Sequence, residues 1–136
     1  MGFSVEINGS VPFHDLDPMM VVWHGNYLKY FDQARFAVFD AAGINLYGYM
    51  TDKQFVFPIT RTSTKYILPL RANDTYTCKV TVTEARNKIA MEFELRRGDG
   101  ALCARASSEQ LAVKMPDMAL EFEIPADIQQ AFGFVE

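Results

Sequence analysis

The sequence predicts an α+β fold in which an antiparallel β-sheet wraps around one long central helix. Three observations predict it. The run from Tyr27 to Ala42 is apolar or small except at Lys29, Asp32, Gln33, Arg35 and Asp40. Several segments in the second half of the chain alternate strictly between apolar and polar residues across short turns, a period that belongs to strands. The order of strand, helix and further strands lets that helix bury most of its circumference only if the sheet curls round it.

Taken in order, Phe3, Val5, Ile7, Val11 and Phe13 keep one parity against Ser4, Glu6, Asn8 and Ser10, which predicts a half-buried strand with a kink at Gly9. In the helix, Lys29, Asp32, Gln33 and Asp40 cover roughly a quarter of the circumference at about 100° per residue, with Arg35 beside them. Gly43 is the expected stop, because the position past a helix end favours φ > 0. Ile44 to Lys53 has little periodicity and reads as a connection with some irregular helix. An extended segment follows from Phe55 to Leu68, with Pro58 marking an edge or a bend. Tyr76, Cys78, Val80 and Val82 then face one side and the intervening threonines and Lys79 the other; Ala85, Arg86 and Asn87 turn the chain into Ile89, Met91, Phe93 and Leu95. Gly98-Asp99-Gly100 is a second turn. Leu102, Ala104 and Ala106 have the opposite parity to Leu111 and Val113, which predicts a bulge between Ser107 and Gln110. A short helix is expected near Pro125.

The 136 residues, 49% of them hydrophobic, suit a single domain spanning 1–136. A formal net charge of −4 argues against a nucleic-acid partner. No apolar run reaches the ~18 residues a membrane span needs, and the first residues do not read as a secretory leader. The expectation is a cytoplasmic protein with no membrane partner. Cys78 and Cys103 lack metal-binding spacing and read as free core thiols. A sheet with an open edge predicts a homodimer or homotetramer.

The polar residues that could carry chemistry gather in the loop before the helix: His14, Asp15, Asp17, His24 and Asn26. A carboxylate at Asp17 beside a helix opening, with its free N–H groups and positive dipole end, suits attack on an ester or thioester carbonyl. The same Asp-x-Asp-Pro run is also good turn chemistry, and His24 beside Trp23 reads equally as a base or as a packed residue. The ligand types for a metal are present without a two-ligand helical spacing, so none is expected. Arg86-Asn87-Lys88 could hold phosphates or be a solvated turn, and Thr60, Arg61 and Lys65 are similarly open.

Asp15-Leu16-Asp17-Pro18, then Val21-Val22-Trp23-His24-Gly25-Asn26-Tyr27 and a helix with Ala34-Arg35, resembles the 4-hydroxybenzoyl-CoA thioesterase-like family of hotdog-fold acyl-CoA thioesterases. Pro58-Ile59 and Asn73-Asp74 fit the same pattern, which extends to about Val113. The resemblance implies edge-to-edge dimers with active sites at the subunit interface, and no cofactor beyond the coenzyme A thioester as substrate. It implies that Asp17 attacks the thioester carbon or activates water, and that the His24 backbone N–H is the oxyanion donor. Asn26 and Tyr27 match positions that shape the site, and Arg86 and Lys88 match a region that contacts the coenzyme A phosphates. Trp23, Thr60 and Arg61 complete the candidate substrate contacts. The chain departs from the pattern at Met20, where many relatives have glycine.

Three other functions fit the same fold. A thioesterase acting on acyl carrier protein would use basic rim residues such as Arg61, Lys65 or Arg86 against an acidic partner. A dehydratase or hydratase would pair a histidine with a carboxylate. A non-catalytic acyl-CoA binding module would be indifferent to Asp17.

Overall fold

The computed structural model describes residues 3–134. Five antiparallel strands form the main sheet: β1 (Phe3–Ser10), β3 (Ile59–Tyr66), β4 (Thr75–Glu84), β5 (Ile89–Arg97) and β6 (Leu102–Gln110), in the order β1-β4-β5-β6-β3. A small sheet joins β2 (Phe55–Val56), β7 (Ala112–Lys114) and β8 (Ala119–Glu121). The alternation read from the sequence sets the register. Val80 opposes Phe93 and Val82 opposes Met91, and all four are buried on the face that receives helix α1 (Tyr27–Ala41). Phe31 on that helix meets Phe93 with ring centroids 5.2 Å apart.

Four sequence expectations need adjusting. Gly9 makes no kink; it pairs in register with Tyr76, and a Cβ there would stand 2.5 Å from the Tyr76 hydroxyl oxygen. The run from Phe55 to Leu68 divides at Phe57-Pro58 into β2 and β3, which belong to different sheets. The bulge opposite the end of β6 lies on the partner strand, where Thr60 is the extra residue between Ile59 and Arg61. Helix α1 is buried on about half of its circumference rather than most of it, since this sheet covers one side and the described residues leave much of the other open. Leu28 and Phe36 are therefore exposed, whereas Arg35 turns inward and donates to Asp32 and, at 2.7 Å, to Ser108. The helix end is as expected: Gly43 takes φ +78°. The irregular connection contains a single α-turn, α2 (Leu46–Gly48), followed by a π-turn, and helix α3 (Ala126–Ala131) follows Pro125.

The loop that carries the candidate residues is fastened to α1 by Asp15. This carboxylate is 2% exposed, accepts from Lys29 Nζ at 2.6 Å and from the Tyr30 hydroxyl at 2.7 Å, and its backbone carbonyl accepts from the Trp23 N–H and the Asn26 side chain. Burial by itself pushes the Asp15 carboxyl upward, but the hydrogen bonds from Lys29 and Tyr30 and the lysine charge together outweigh it and hold the group below the usual carboxylate range. Between the folded and unfolded values the unfolded chain binds more protons, so this contribution is complete above about pH 4 and disappears as pH falls through the folded value. Replacing Asp15 with Asn is expected to cost about 1–3 kcal/mol, because one buried partner loses its acceptor while the half-exposed Lys29 regains water. Thermal melts between pH 3 and pH 7 check this: the variant should melt several degrees lower at pH 7, and the gap from the wild type should shrink in acid.

Candidate active site

Between Leu16 and Val22 the chain makes a narrow antiparallel bridge closed by Pro18, Met19 and Met20. The Met20 N–H donates to the Asp17 carbonyl at 2.8 Å and the Asp17 N–H to the Val21 carbonyl at 2.9 Å. A three-residue loop of this kind needs its last residue in the left-handed region, and Met20 takes φ +65°. Glycine would meet that requirement without the Cβ strain, which is on the order of 1 kcal/mol. Met20 therefore adopts a backbone conformation that glycine favours, at a small energetic cost.

This loop fixes the Asp17 carboxylate. Its Oδ1 accepts the Met19 N–H at 2.8 Å, while Oδ2 has no protein partner among the described residues. Asp17 is half-buried and lines a cleft of about 230 Å³ together with Val22, His24, Tyr27, Tyr66 and Leu68. The Val22 N–H donates to the Leu70 carbonyl at 2.8 Å, which ties the floor of the cleft to the segment after β3.

A 3-10 turn, His24–Asn26, leads into α1. The Asn26 N–H donates to the Trp23 carbonyl and the Tyr27 N–H to the His24 carbonyl, so the turn is closed on its carbonyl side. The His24 and Gly25 N–H groups have no acceptor among the described residues. These are the orphan donors that every helix start leaves. A Cβ at Gly25 would lie 2.4 Å from the Trp23 ring, which covers this position and would have to swing aside for any other residue. A row of rings continues across this end of the molecule, with Trp23 beside His24, Tyr66 against both His24 and Tyr27, and Tyr30 stacked on Tyr76 at 4.8 Å.

The sequence-predicted residues thus fall into two groups. Asp17, His24, Tyr27 and Trp23 lie together, and Asn26 holds the Asp15 carbonyl at 2.9 Å behind them. Thr60, Arg61, Arg86 and Lys88 lie at the other end of the sheet. Register places Ile59 and Ile89 opposite Gln110, whereas Tyr66 and Leu95 oppose Ala104, a separation of roughly 20 Å at 3.3 Å per residue. Thr60 donates to the Glu109 carbonyl, Arg86 donates to the Phe134 carbonyl, and Lys88 donates to Glu109 at 2.9 Å. His14 is exposed, 3.8 Å from Asp15. Tyr66 was not among the residues picked from the sequence; only its place at the end of the strand before Pro69 could have signalled it.

A larger cleft of about 460 Å³ runs beside α1 between Phe36, Tyr47, Met50, Phe55, Phe57 and Ile59. Asp32 and Arg35 border it and also a second hollow lined by Leu28 and Thr62, so apolar space follows the helix beneath β3. Among the described residues no group of three or more His, Cys, Asp or Glu could hold a metal ion, Cys78 and Cys103 are free and buried, and no helix is long and apolar enough to cross a membrane.

The fold is shared with solved structures at low identity. The 4-hydroxybenzoyl-CoA thioesterase from Pseudomonas sp. strain CBS-3 superposes with a TM-score of 0.85 at 22% identity, covering 94% of this chain and 98% of that one. A 1,4-dihydroxy-2-naphthoyl-CoA thioesterase from Synechocystis gives 0.83 at 18% identity, covering 94% of each chain. A Staphylococcus aureus protein solved in complex with CoA gives 0.84 at 14% identity, covering 96% of this chain and 81% of that one. No curated protein matches the chain. The sequence profile of the thioesterase-like superfamily matches residues 11–132, nearly the whole chain, and with the hotdog architecture of a sheet packed on one long helix it establishes that this chain belongs to the thioesterase-like superfamily.

Proposed function

We propose that this protein is an acyl-CoA thioesterase, hydrolysing the thioester to a carboxylic acid and the free thiol. The observation that carries the reading is the shared cleft: a carboxylate with one unengaged oxygen, Asp17, and a residue with an unpartnered backbone N–H, His24, line the same hollow where the helix opens. A thioester carbonyl placed there would direct its oxygen to the His24 amide, which stabilises the negative charge that develops on attack. In the covalent route the Asp17 oxygen attacks the carbonyl carbon, the thiolate leaves a mixed anhydride, and one water hydrolyses that anhydride to free acid and carboxylate; in the base route Asp17 takes the proton of the attacking water and passes it to the departing thiolate. Apolar space along α1 suits the acyl group.

The working unit in this reading is a homodimer. Strand β3 pairs with β6 on one side only, its eight residues are almost all exposed, and Leu28, Phe36 and Ile59 add exposed apolar surface beside it. An uncovered edge of that length recruits a second strand. Pairing two copies of β3 antiparallel about their middle would bring one copy's Thr60 and Arg61 alongside the other's Tyr66, which gives these residues a route to the substrate that a single chain lacks.

Three measurements test the reading. Asp17→Asn should lower kcat on acyl-CoA thioesters by about 10²–10⁴-fold with an unchanged melting temperature; full activity in the variant would remove Asp17 from the chemistry. A panel that includes acyl carrier protein thioesters and enoyl-CoA separates the carrier-protein and hydratase alternatives. Sedimentation equilibrium should give a mass at or above twice the 15.4 kDa of one chain, and a monomer at assay concentration would refute the edge pairing.

A further inference from the structure

Tyr66 ends β3, and its hydroxyl donates to the His24 carbonyl at 3.0 Å, across 42 positions of sequence. The same carbonyl accepts the Tyr27 N–H, so two donors from different elements hold it. Because a peptide unit is planar, pinning this carbonyl fixes the Gly25 N–H directly, and it limits rotation about the two His24 backbone dihedrals that separate it from the His24 N–H. The Tyr66 ring stands edge-on to Tyr27 at 5.1 Å, which leaves its hydroxyl little freedom, and the residue lines the Asp17 cleft.

We propose that Tyr66 is a positioning residue for thioester hydrolysis, holding the His24 carbonyl so that the unpartnered His24 N–H stays aimed at the thioester oxygen. This rests on the thioesterase reading of the same cleft. The His24 carbonyl keeps the Tyr27 N–H as a donor when the hydroxyl is removed, so the Tyr66 bond contributes little to folding. Its consequence is orientation. An oxyanion donor acts only if it is already in place when charge develops, and small misplacements of a catalytic group cost rate out of proportion to their size. Tyr66 also lies on the half-paired edge strand β3, so the order of that strand reaches the amide donor through one side chain.

The test compares wild type with Tyr66→Phe, which keeps the ring and removes only the hydroxyl. In steady-state assays kcat should fall about tenfold to a hundredfold while KM stays within about threefold and the melting temperature is unchanged. In the absence of substrate, the backbone ¹⁵N resonance of Gly25 should shift, since the preceding carbonyl loses a donor. An unchanged kcat, or a rise in KM alone, in an enzyme whose wild type is active would overturn the positioning role. A wild type that turns over no thioester would instead overturn the reading beneath it, and the two failures are distinguished by the wild-type assay itself.

Discussion

Asp15 is a carboxylate sealed from solvent in a loop, and it stays ionised because Lys29 and Tyr30 of the central helix both donate to it. Its own carbonyl is held by Trp23 and Asn26, so one residue fixes the helix, the turn before the helix and the loop before that turn. An unpaired charge at such depth would be strongly unfavourable, so the contacts to Lys29 and Tyr30 favour the arrangement in which the three segments meet. The placement of Asp17 two residues later, and of His24 at the helix opening, follows from that fastening. The site is therefore built from a structural carboxylate and a chemically available one, separated by a single leucine.

The sheet was legible from the chain because burial on one face leaves a two-residue period. The residues inferred to point inward on β4 and β5 are the buried ones, and the long helix begins and ends within a residue or two of where its polar pattern and Gly43 place it. Asp15 and Asp17 could not be told apart by that means: both are aspartates in turn-forming sequence, and only the reach of Lys29 and Tyr30 across the helix shows which one is buried. Arg35 was placed with the polar stripe of the helix, since a guanidinium reads as surface until its nitrogens are seen to donate to Asp32 and Ser108. For Tyr66 the strand end before Pro69 was the one local signal, and its contact with His24 depends on how β3 ends relative to the helix.

The exposed half of α1 and the open edge of β3 share one cause. A single chain supplies one curled sheet, which covers one side of the helix and leaves its last strand half-paired. Leu28 and Phe36 face the same side as that edge strand's Ile59, around the apolar clefts, so both unmet requirements are concentrated in one region. The basic pair Arg86 and Lys88 is occupied by Phe134 and Glu109 far from the cleft within one chain. Contact between these residues and a substrate held at Asp17 would have to come across an interface between copies.

Geometry of a bound carbonyl is the most direct measure of this account. A crystal structure with an acyl-CoA analogue in which a methylene group replaces the thioester sulfur should place the carbonyl oxygen about 3 Å from the His24 nitrogen, with the carbonyl carbon facing the free oxygen of Asp17. A carbonyl held elsewhere, or Asp17 turned away from it, would contradict the assignment of this cleft as the place where the thioester is cut.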